Sequence, residues 1–267
     1  MTKKALFFDI DGTLVSFQTH EIPQSTIDAL QEAKALGMKI FISTGRPRIL
    51  INNLGALQKL HLIDGYITMN GAYCFVGNDI LYKSAIRPDE VYTLTHFCGD
   101  RRIPCIVVGE NDICACCPDE RVNRIFYEHL KVTTPIPDMP VEEAILHKEV
   151  FQLTPFITAE EEALVSPHIP HCEIGRWHPA FADVTALGNT KQQGIDVIIR
   201  HFGIDLKDTV AFGDGGNDIS MLKHASIGIA MGNAQDHVKA AARYVTRTVD
   251  EDGIAYAIEA IRKGAWT

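Results

Sequence analysis

Short apolar runs that stop on acidic or small polar residues, each followed by a stretch at helical spacing, constrain this chain more than any other feature. At the amino-terminal end Ala5-Leu6-Phe7-Phe8 reads as a buried strand. Ile27, Leu30, Ala33 and Leu36 then keep helical spacing up to Gly37, and Lys39–Ile42 is the next strand. Leu50, Leu54 and Leu57 mark a helix after Pro47, and Tyr66–Met69 is another strand. The carboxy-terminal part repeats the pattern. Strands are expected at Thr209–Phe212 and Ile227–Met231, and helices near Ile195–Phe202, Asp218–His224 and Asp236–Ala242. Such alternation predicts an α/β fold, a Rossmann-like doubly wound and mostly parallel sheet wrapped by helices.

The middle reads differently. Cys74–Val76 and Ile80–Tyr82 flank Gly77-Asn78-Asp79, a hairpin signal. Pro104–Val108, Val150–Ile157, Cys172–Trp177 and Phe181–Thr185 are strand-like, with helical patterns near Pro88–Phe97, Val122–Leu130 and Ala159–Val165. Residues 83–186 are therefore expected to form an inserted α+β domain, and residues 1–82 and 187–267 the core.

The candidate chemistry stands at strand ends. Phe8 is followed by Asp9-Ile10-Asp11-Gly12-Thr13, two carboxylates one residue apart. Ligands in open α/β sheets bind beyond the carboxyl ends of strands. Crowded carboxylates cost electrostatic energy unless a cation or a shared proton offsets it. The run Val210-Ala211-Phe212-Gly213-Asp214-Gly215-Gly216-Asn217-Asp218 is a second strand ending in an acidic turn. Asp9, Asp11 and Asp214 could thus meet around one hard cation, which prefers oxygen ligands. At a third strand end, Ser43-Thr44-Gly45-Arg46-Pro47, the Thr44 hydroxyl and the following N–H groups could hold a phosphate. Gly188-Asn189-Thr190-Lys191 opens a fourth segment, where Lys191 suits charge balance better than the helix dipole does.

These motifs, in this order, resemble the haloacid dehalogenase superfamily of phosphoryl-transfer enzymes, and within it the Cof-type branch of sugar-phosphate phosphatases. The resemblance extends over Thr68-Met69-Asn70-Gly71-Ala72, Met231-Gly232-Asn233-Ala234 and Asp250-Glu251-Asp252-Gly253-Ile254. The stretch between Thr44 and Lys191 is far longer than a core crossover needs, which resembles the branch whose α/β cap lies between those motifs. The resemblance implies a phosphatase acting on small phosphorylated metabolites, hexose or pentose phosphates, with Mg²⁺ as cofactor. It implies Asp9 as nucleophile, forming an aspartyl-phosphate, and Asp11 as general acid and base. Mg²⁺ would be bound by the Asp9 side chain, the Asp11 backbone carbonyl and Asp214. Thr44, Gly45, Lys191 and Asn217 would hold the phosphate, and Asp218 would support Lys191 or the metal ligands. Arg46 and Asn70 could face the leaving group or equally fix a loop. In the insertion, Arg176, Trp177 and Asp183 are candidates for sugar recognition, and a core Trp with rim charges explains them nearly as well. Two rivals share these motifs: a phosphomannomutase-type phosphomutase and a non-catalytic phosphoacceptor module.

Composition narrows the partners. A net charge of −9 and a pI near 5.6 argue against non-specific nucleic-acid binding. No run approaches the ~18 apolar residues that span a bilayer. Asp9 interrupts the apolar run after Met1-Thr2-Lys3-Lys4 too early for a signal peptide, so a cytoplasmic monomer or small homo-oligomer is expected. Seven cysteines, an odd number, favour free thiols. Cys114-Ala115-Cys116-Cys117 has no second cysteine or histidine pair at zinc-ligand spacing, and ordinary strand or loop cysteines are expected there.

Overall fold

The computed structural model describes residues 4–146 and 148–267, apart from the side chain of Trp177. In chain order its strands are β1 (Ala5–Phe8), β2 (Lys39–Ser43), β3 (Gly65–Thr68), β4 (Tyr73–Val76), β5 (Asp79–Lys83), β6 (Cys105–Val108) and β7 (Ile113–Cys116). They continue as β8 (Gln152–Pro155), β9 (Cys172–His178), β10 (Phe181–Ala186), β11 (Thr209–Gly213), β12 (Ile227–Ala230) and β13 (Tyr244–Val245). They form two sheets in two compact units. The first unit spans residues 1–44, 53–82 and 190–267, and the second spans residues 45–52 and 83–189.

The first unit carries an eight-stranded sheet in the order β13-β12-β11-β1-β2-β3-β4-β5. The six strands from β13 to β3 run parallel, and β4 turns back antiparallel to β3. Every residue of β1, β11 and β12 is buried, which is why these strands are continuous apolar runs rather than alternating ones. Successive side chains of β1 leave on opposite faces of the sheet. Phe7 stacks on Phe41 at 4.9 Å between ring centroids, and Phe8 on Phe212 at 4.6 Å. On the Phe7 side the core is completed by Ile195, Ile198 and Ile199 of helix Lys191–Phe202 and by Met221 and Leu222 of helix Ile219–His224.

This topology sets the site. From β1 the chain winds outward through β2 and β3, then returns to pair β11 on the other side of β1. The order of winding therefore reverses at β1, and the crevice beyond its carboxyl end is the topological switch point. Asp9 directly follows β1, Thr44 follows β2, and Asp214 follows β11.

The second unit holds the antiparallel sheet β7-β6-β8-β10-β9. Its core is an aromatic group in which Phe156 lies 5.7 Å from Phe181 and 6.2 Å from Phe126. Helix Ala159–Val165 starts on a capping box between Thr158 and Glu161. Residues 45–52 join this unit through hydrogen bonds. Arg46 Nη2 donates to Leu130 O (3.2 Å), Asn52 Nδ2 to Lys131 O (2.9 Å) and Thr134 Oγ1 to Ile49 O (3.0 Å).

Two local expectations change. The single helix expected after Pro47 is a turn at Arg48–Leu50 and a short helix at Gly55–Lys59, because Ile51 between them is extended (φ −85°, ψ 90°). The stretch near Val122–Leu130 is wound as a π-helical turn over Asn123–His129. The cysteine run is strand β7, paired with β6 at Cys105–Cys116 and Val107–Cys114. All seven cysteines are free, and burial pushes the Cys116 thiol up to about 12, as befits a protonated thiol in a packed sheet. Among the described residues, no helix is long and apolar enough to cross a membrane.

Candidate active site

The site grows out of the end of β1. Asp9 N extends the ladder by donating to Phe212 O at 3.0 Å, so the Asp9 carboxyl is carried by the sheet itself. The chain then folds into a tight turn. Gly12 N donates to Val15 O, and Leu14 N and Val15 N both donate to Ile10 O. Gly12 has φ +85°, and a Cβ there would collide with the Asp214 carboxylate. The glycine of the D-x-D-G-T motif thus meets two demands at once, left-handed backbone and close approach.

Lys191 is the centre of charge. It opens helix Lys191–Phe202, whose N-cap Thr190 accepts from Gln193 N at 3.2 Å. Its side chain is fully buried, and Nζ donates to Asp9 Oδ1 at 2.6 Å and to Asp218 Oδ1 at 2.5 Å. The other oxygen of Asp218 accepts from the backbone N–H of Asp214 (2.9 Å) and of Gly215 (2.8 Å). Asp214 is itself held by Thr13 Oγ1, which donates to its Oδ1 at 2.7 Å. Asn233 Nδ2 donates to Gly12 O at 2.8 Å and reaches Asp214 Oδ2 at 3.4 Å. Asn233 Oδ1 in turn accepts from Val249 N at 3.1 Å.

Carboxylate oxygens of Asp9, Asp214 and Asp218 lie within 4.8 Å of one another. Three carboxylates around one ammonium leave an excess of negative charge. Burial pushes the Asp9 carboxyl up to about 7 against the pull of Lys191, with Asp218 and Asp11 adding to the rise. Asp214 is driven the same way by burial and by the charges of Asp9 and Asp218. The charges of Asp218 and Asp9 outweigh burial at Lys191 and hold its ammonium well above the ordinary lysine range. This excess, in an all-oxygen donor set, is what a hard divalent cation would neutralise. Asp218 already accepts from Lys191 and from two backbone N–H groups, whereas Asp214 accepts from Thr13 and, at 3.4 Å, from Asn233, and Asp9 from Lys191, so Asp9 and Asp214 are the better placed of the three to offer lone pairs.

The raised Asp9 carboxyl has a consequence for stability. Its folded value, about 7, exceeds its unfolded value of 3.8, so the folded state binds more protons in the interval between them. Stability then falls as pH rises through that interval and levels off above it. Thermal melts in chelator are expected to drop between about pH 4 and pH 7. An added divalent cation is expected to raise the melting temperature most at the upper end, because binding displaces the proton. A flat metal-free profile would mean that Asp9 is ionised throughout.

The structure thus gathers Asp9, Asp214, Asp218 and Lys191, with Asp11 on the same turn as Asp9. Thr44 is buried beside β3, its N–H donating to Ile67 O at 2.9 Å and its carbonyl accepting from Asn70 N at 3.1 Å. Asn217 Nδ2 donates to Asn70 Oδ1 at 3.0 Å. Gly45 and Arg46 belong to the second unit, where Arg46 donates to Leu50 O (3.0 Å) and Leu130 O. Arg176 donates to Glu162 and to the carbonyls of Ile157, Pro179 and Phe181, all within the second unit. Asp183 is buried and accepts from Gln152 Nε2 (2.8 Å) and Thr154 Oγ1 (2.9 Å) on the wall of a cavity that also includes Arg46, Phe126 and Phe181. The side chain of Trp177 lies outside the described residues. Thr13 and Asn233 are contributors that sequence reasoning missed. Both stand inside motifs that had drawn notice, but nothing local reveals a partner about two hundred positions away.

The model of the haloacid dehalogenase-like hydrolases matches residues 6–258. The chain belongs to that family. YkrA of Bacillus subtilis (strain 168), a protein that bears a phosphatase name, is 34% identical over 259 residues, covering 97% of this chain and 98% of YkrA. A solved haloacid dehalogenase subclass IIB sugar phosphatase is 63% identical, with a TM-score of 0.94 over 97% of this chain and 99% of the other. A second structure at 63% identity has a TM-score of 0.95 over 98% and 99% of the two chains. It was determined to show a conserved trigonal-bipyramidal intermediate in a phosphoryl-transfer superfamily. This haloacid dehalogenase-type protein is accordingly an enzyme, a phosphatase acting on small phosphorylated substrates.

Proposed function

We propose that this phosphatase hydrolyses monophosphate esters of small sugars through an aspartyl-phosphate on Asp9, with Mg²⁺ as cofactor. The observation that carries the reading is the buried ammonium of Lys191 seated between Asp9 and Asp218 at the sheet's switch point. A carboxylate attacks a phosphate dianion only where both negative charges are screened. Lys191 binds Asp9 Oδ1, which leaves Oδ2 to form the new bond. Mg²⁺, held by Asp9, Asp214 and the Asp11 carbonyl, would supply further positive charge against the phosphoryl oxygens.

The residues then act in sequence. An Asp9 oxygen bonds phosphorus as the ester P–O bond breaks, and Asp11 gives its proton to the departing sugar oxygen. Water then attacks the phosphoryl group, Asp11 takes a proton from that water, and Asp9 is released with inorganic phosphate. Asp218 keeps Lys191 charged and in place, while Thr44, the Gly45 N–H and Asn217 bind phosphoryl oxygens. Sugar as leaving group is supported by the subclass IIB sugar phosphatase at 63% identity and by the second unit, which we assign the role of cap. Gln152 Oε1 there is buried with no hydrogen-bond donor among the described residues, an acceptor that a hydroxyl-bearing ligand would satisfy. Asp183 and Arg176 remain the cap candidates, and Arg46, expected in the core, joins them because it belongs to the second unit. Free cysteines throughout agree with a reducing, cytoplasmic setting.

The test is a panel of phosphate esters with free phosphate as readout, with and without Mg²⁺. Hexose and pentose monophosphates are expected to rank above nucleotides and aryl esters, and turnover to vanish in chelator. Phosphoryl return to sugar, dependent on a bisphosphate activator and without phosphate release, would replace hydrolysis with a mutase reaction. Mg²⁺ binding with no turnover of any ester would leave only a phosphoacceptor.

A further inference from the structure

Three consecutive residues after β3 have left-handed backbone: Met69 (φ 50°), Asn70 (φ 53°) and Gly71 (φ 102°). Two successive non-glycine residues in that region are uncommon, and they persist where the surroundings over-determine them. Here the surroundings are the strand ends of the candidate site. Asn70 N donates to Thr44 O at 3.1 Å. A Cβ on Gly71 would collide with the carbonyl of Thr190, the residue before Lys191. Asn70 is 8% exposed, and its Oδ1 accepts from Asn217 Nδ2 at 3.0 Å. One turn therefore touches Thr44, the residue ahead of Lys191, and Asn217.

The contact with Asn217 carries chemical information. A carboxamide offers two N–H donors on one side and an acceptor on the other, and a rotation of half a turn exchanges them. A phosphoryl oxygen accepts a hydrogen bond from the nitrogen side and repels the oxygen side. Asn70 Oδ1 accepts from the nitrogen of Asn217, which sets the sense of that amide and leaves its second N–H for another acceptor.

We propose that Asn70 is a positioning residue for phosphoryl transfer. The left-handed turn aims its carboxamide oxygen at Asn217 and holds that side chain in the one orientation that donates to the phosphoryl group. The inference rests on the reading that Asn217 binds phosphate. It assigns Asn70 to neither the leaving group nor a passive loop.

A double-mutant cycle tests it. Asn70→Gly removes the acceptor while keeping a residue at ease in left-handed backbone, so the fold is expected to survive with a melting temperature within a few degrees. Asn217→Ala is expected to lower kcat/KM by about 10²-fold, as for loss of one donor to developing charge. Asn70→Gly alone should lower it about tenfold and weaken competitive inhibition by inorganic phosphate in parallel. In the Asn217→Ala background Asn70→Gly should cost less than about twofold, because its target is gone. An equal loss from Asn70→Gly in both backgrounds would overturn the proposal, since Asn70 would then act on its own. A harmless Asn217→Ala would overturn it too, leaving Asn70 nothing to position. Failure of the phosphatase reading looks different: the wild-type enzyme would release no phosphate from any ester.

Discussion

Asp9→Asn is expected to abolish phosphate release, by about 10³-fold or more in kcat, without harming the fold. An amide oxygen still accepts from Lys191 Nζ, so the hydrogen bond at Oδ1 survives. What disappears is the negative charge that makes the other oxygen a nucleophile. The stability side follows from the same environment. Burial pushes the Asp9 carboxyl up to about 7, so its ionised form is the disfavoured one, and a neutral amide resembles the form the site accepts. At pH 8 in chelator the variant should melt at or above the wild-type temperature. Below about pH 4, where the carboxyl is protonated in the folded and the unfolded chain alike, the difference should vanish. Steady-state activity within tenfold of wild type would end the covalent mechanism. So would a phosphorylated wild-type protein whose label maps to another residue.

The parts of this site that were legible in the sequence share one property: they end apolar runs. Asp9 directly follows a buried hydrophobic run, and Thr44 and Asp214 stand one residue beyond such runs, behind Ser43 and Gly213, so each announces itself at a strand end. The support of Lys191 by Asp218 was legible only through the family resemblance, and there only as one of two alternatives, because nothing in either neighbourhood encodes the other. Thr13 and Asn233 show the same limit, since each meets Asp214 only after the sheet has formed. Asn70 illustrates a different limit. An Asn-Gly pair signals left-handed backbone, but not which strand ends that turn will bridge. In the second unit, the run at Ile113–Cys116 was legible only as strand or loop, because all four residues are buried, and a run without alternation resembles a packed loop as much as a strand. The split at Ile51 was hidden for another reason. Leu50, Leu54 and Leu57 keep helical spacing, but residues 45–52 are held by hydrogen bonds to residues 130–134, and those tertiary contacts override the local preference.

Lys191→Met should be the most damaging single change to both stability and activity. Methionine matches the length of the lysine stem, so packing in the fully buried slot is largely preserved. What is lost is the positive charge that balances Asp9 and Asp218. Removing one partner of a buried pair costs about 3–5 kcal/mol, because it leaves uncompensated charge behind. The sign of the pH dependence follows from the pull that Lys191 now exerts on Asp9. Without it the Asp9 carboxyl rises further, so the variant goes on losing stability above about pH 7 where wild type levels off, and the penalty is larger at pH 8 than at pH 5. Asp218→Asn in the same chain separates charge from shape. It removes a stranded carboxylate yet keeps an oxygen for the N–H groups of Asp214 and Gly215. The double variant should therefore regain much of the lost stability and none of the activity, since no ammonium is restored beside the attacking carboxylate. Melting temperatures measured at both pH values, with phosphate release alongside, would decide it. A Lys191→Met protein as stable as wild type at pH 8 would mean that the triangle contributes nothing, and the electrostatic account of Asp9 would fall with it.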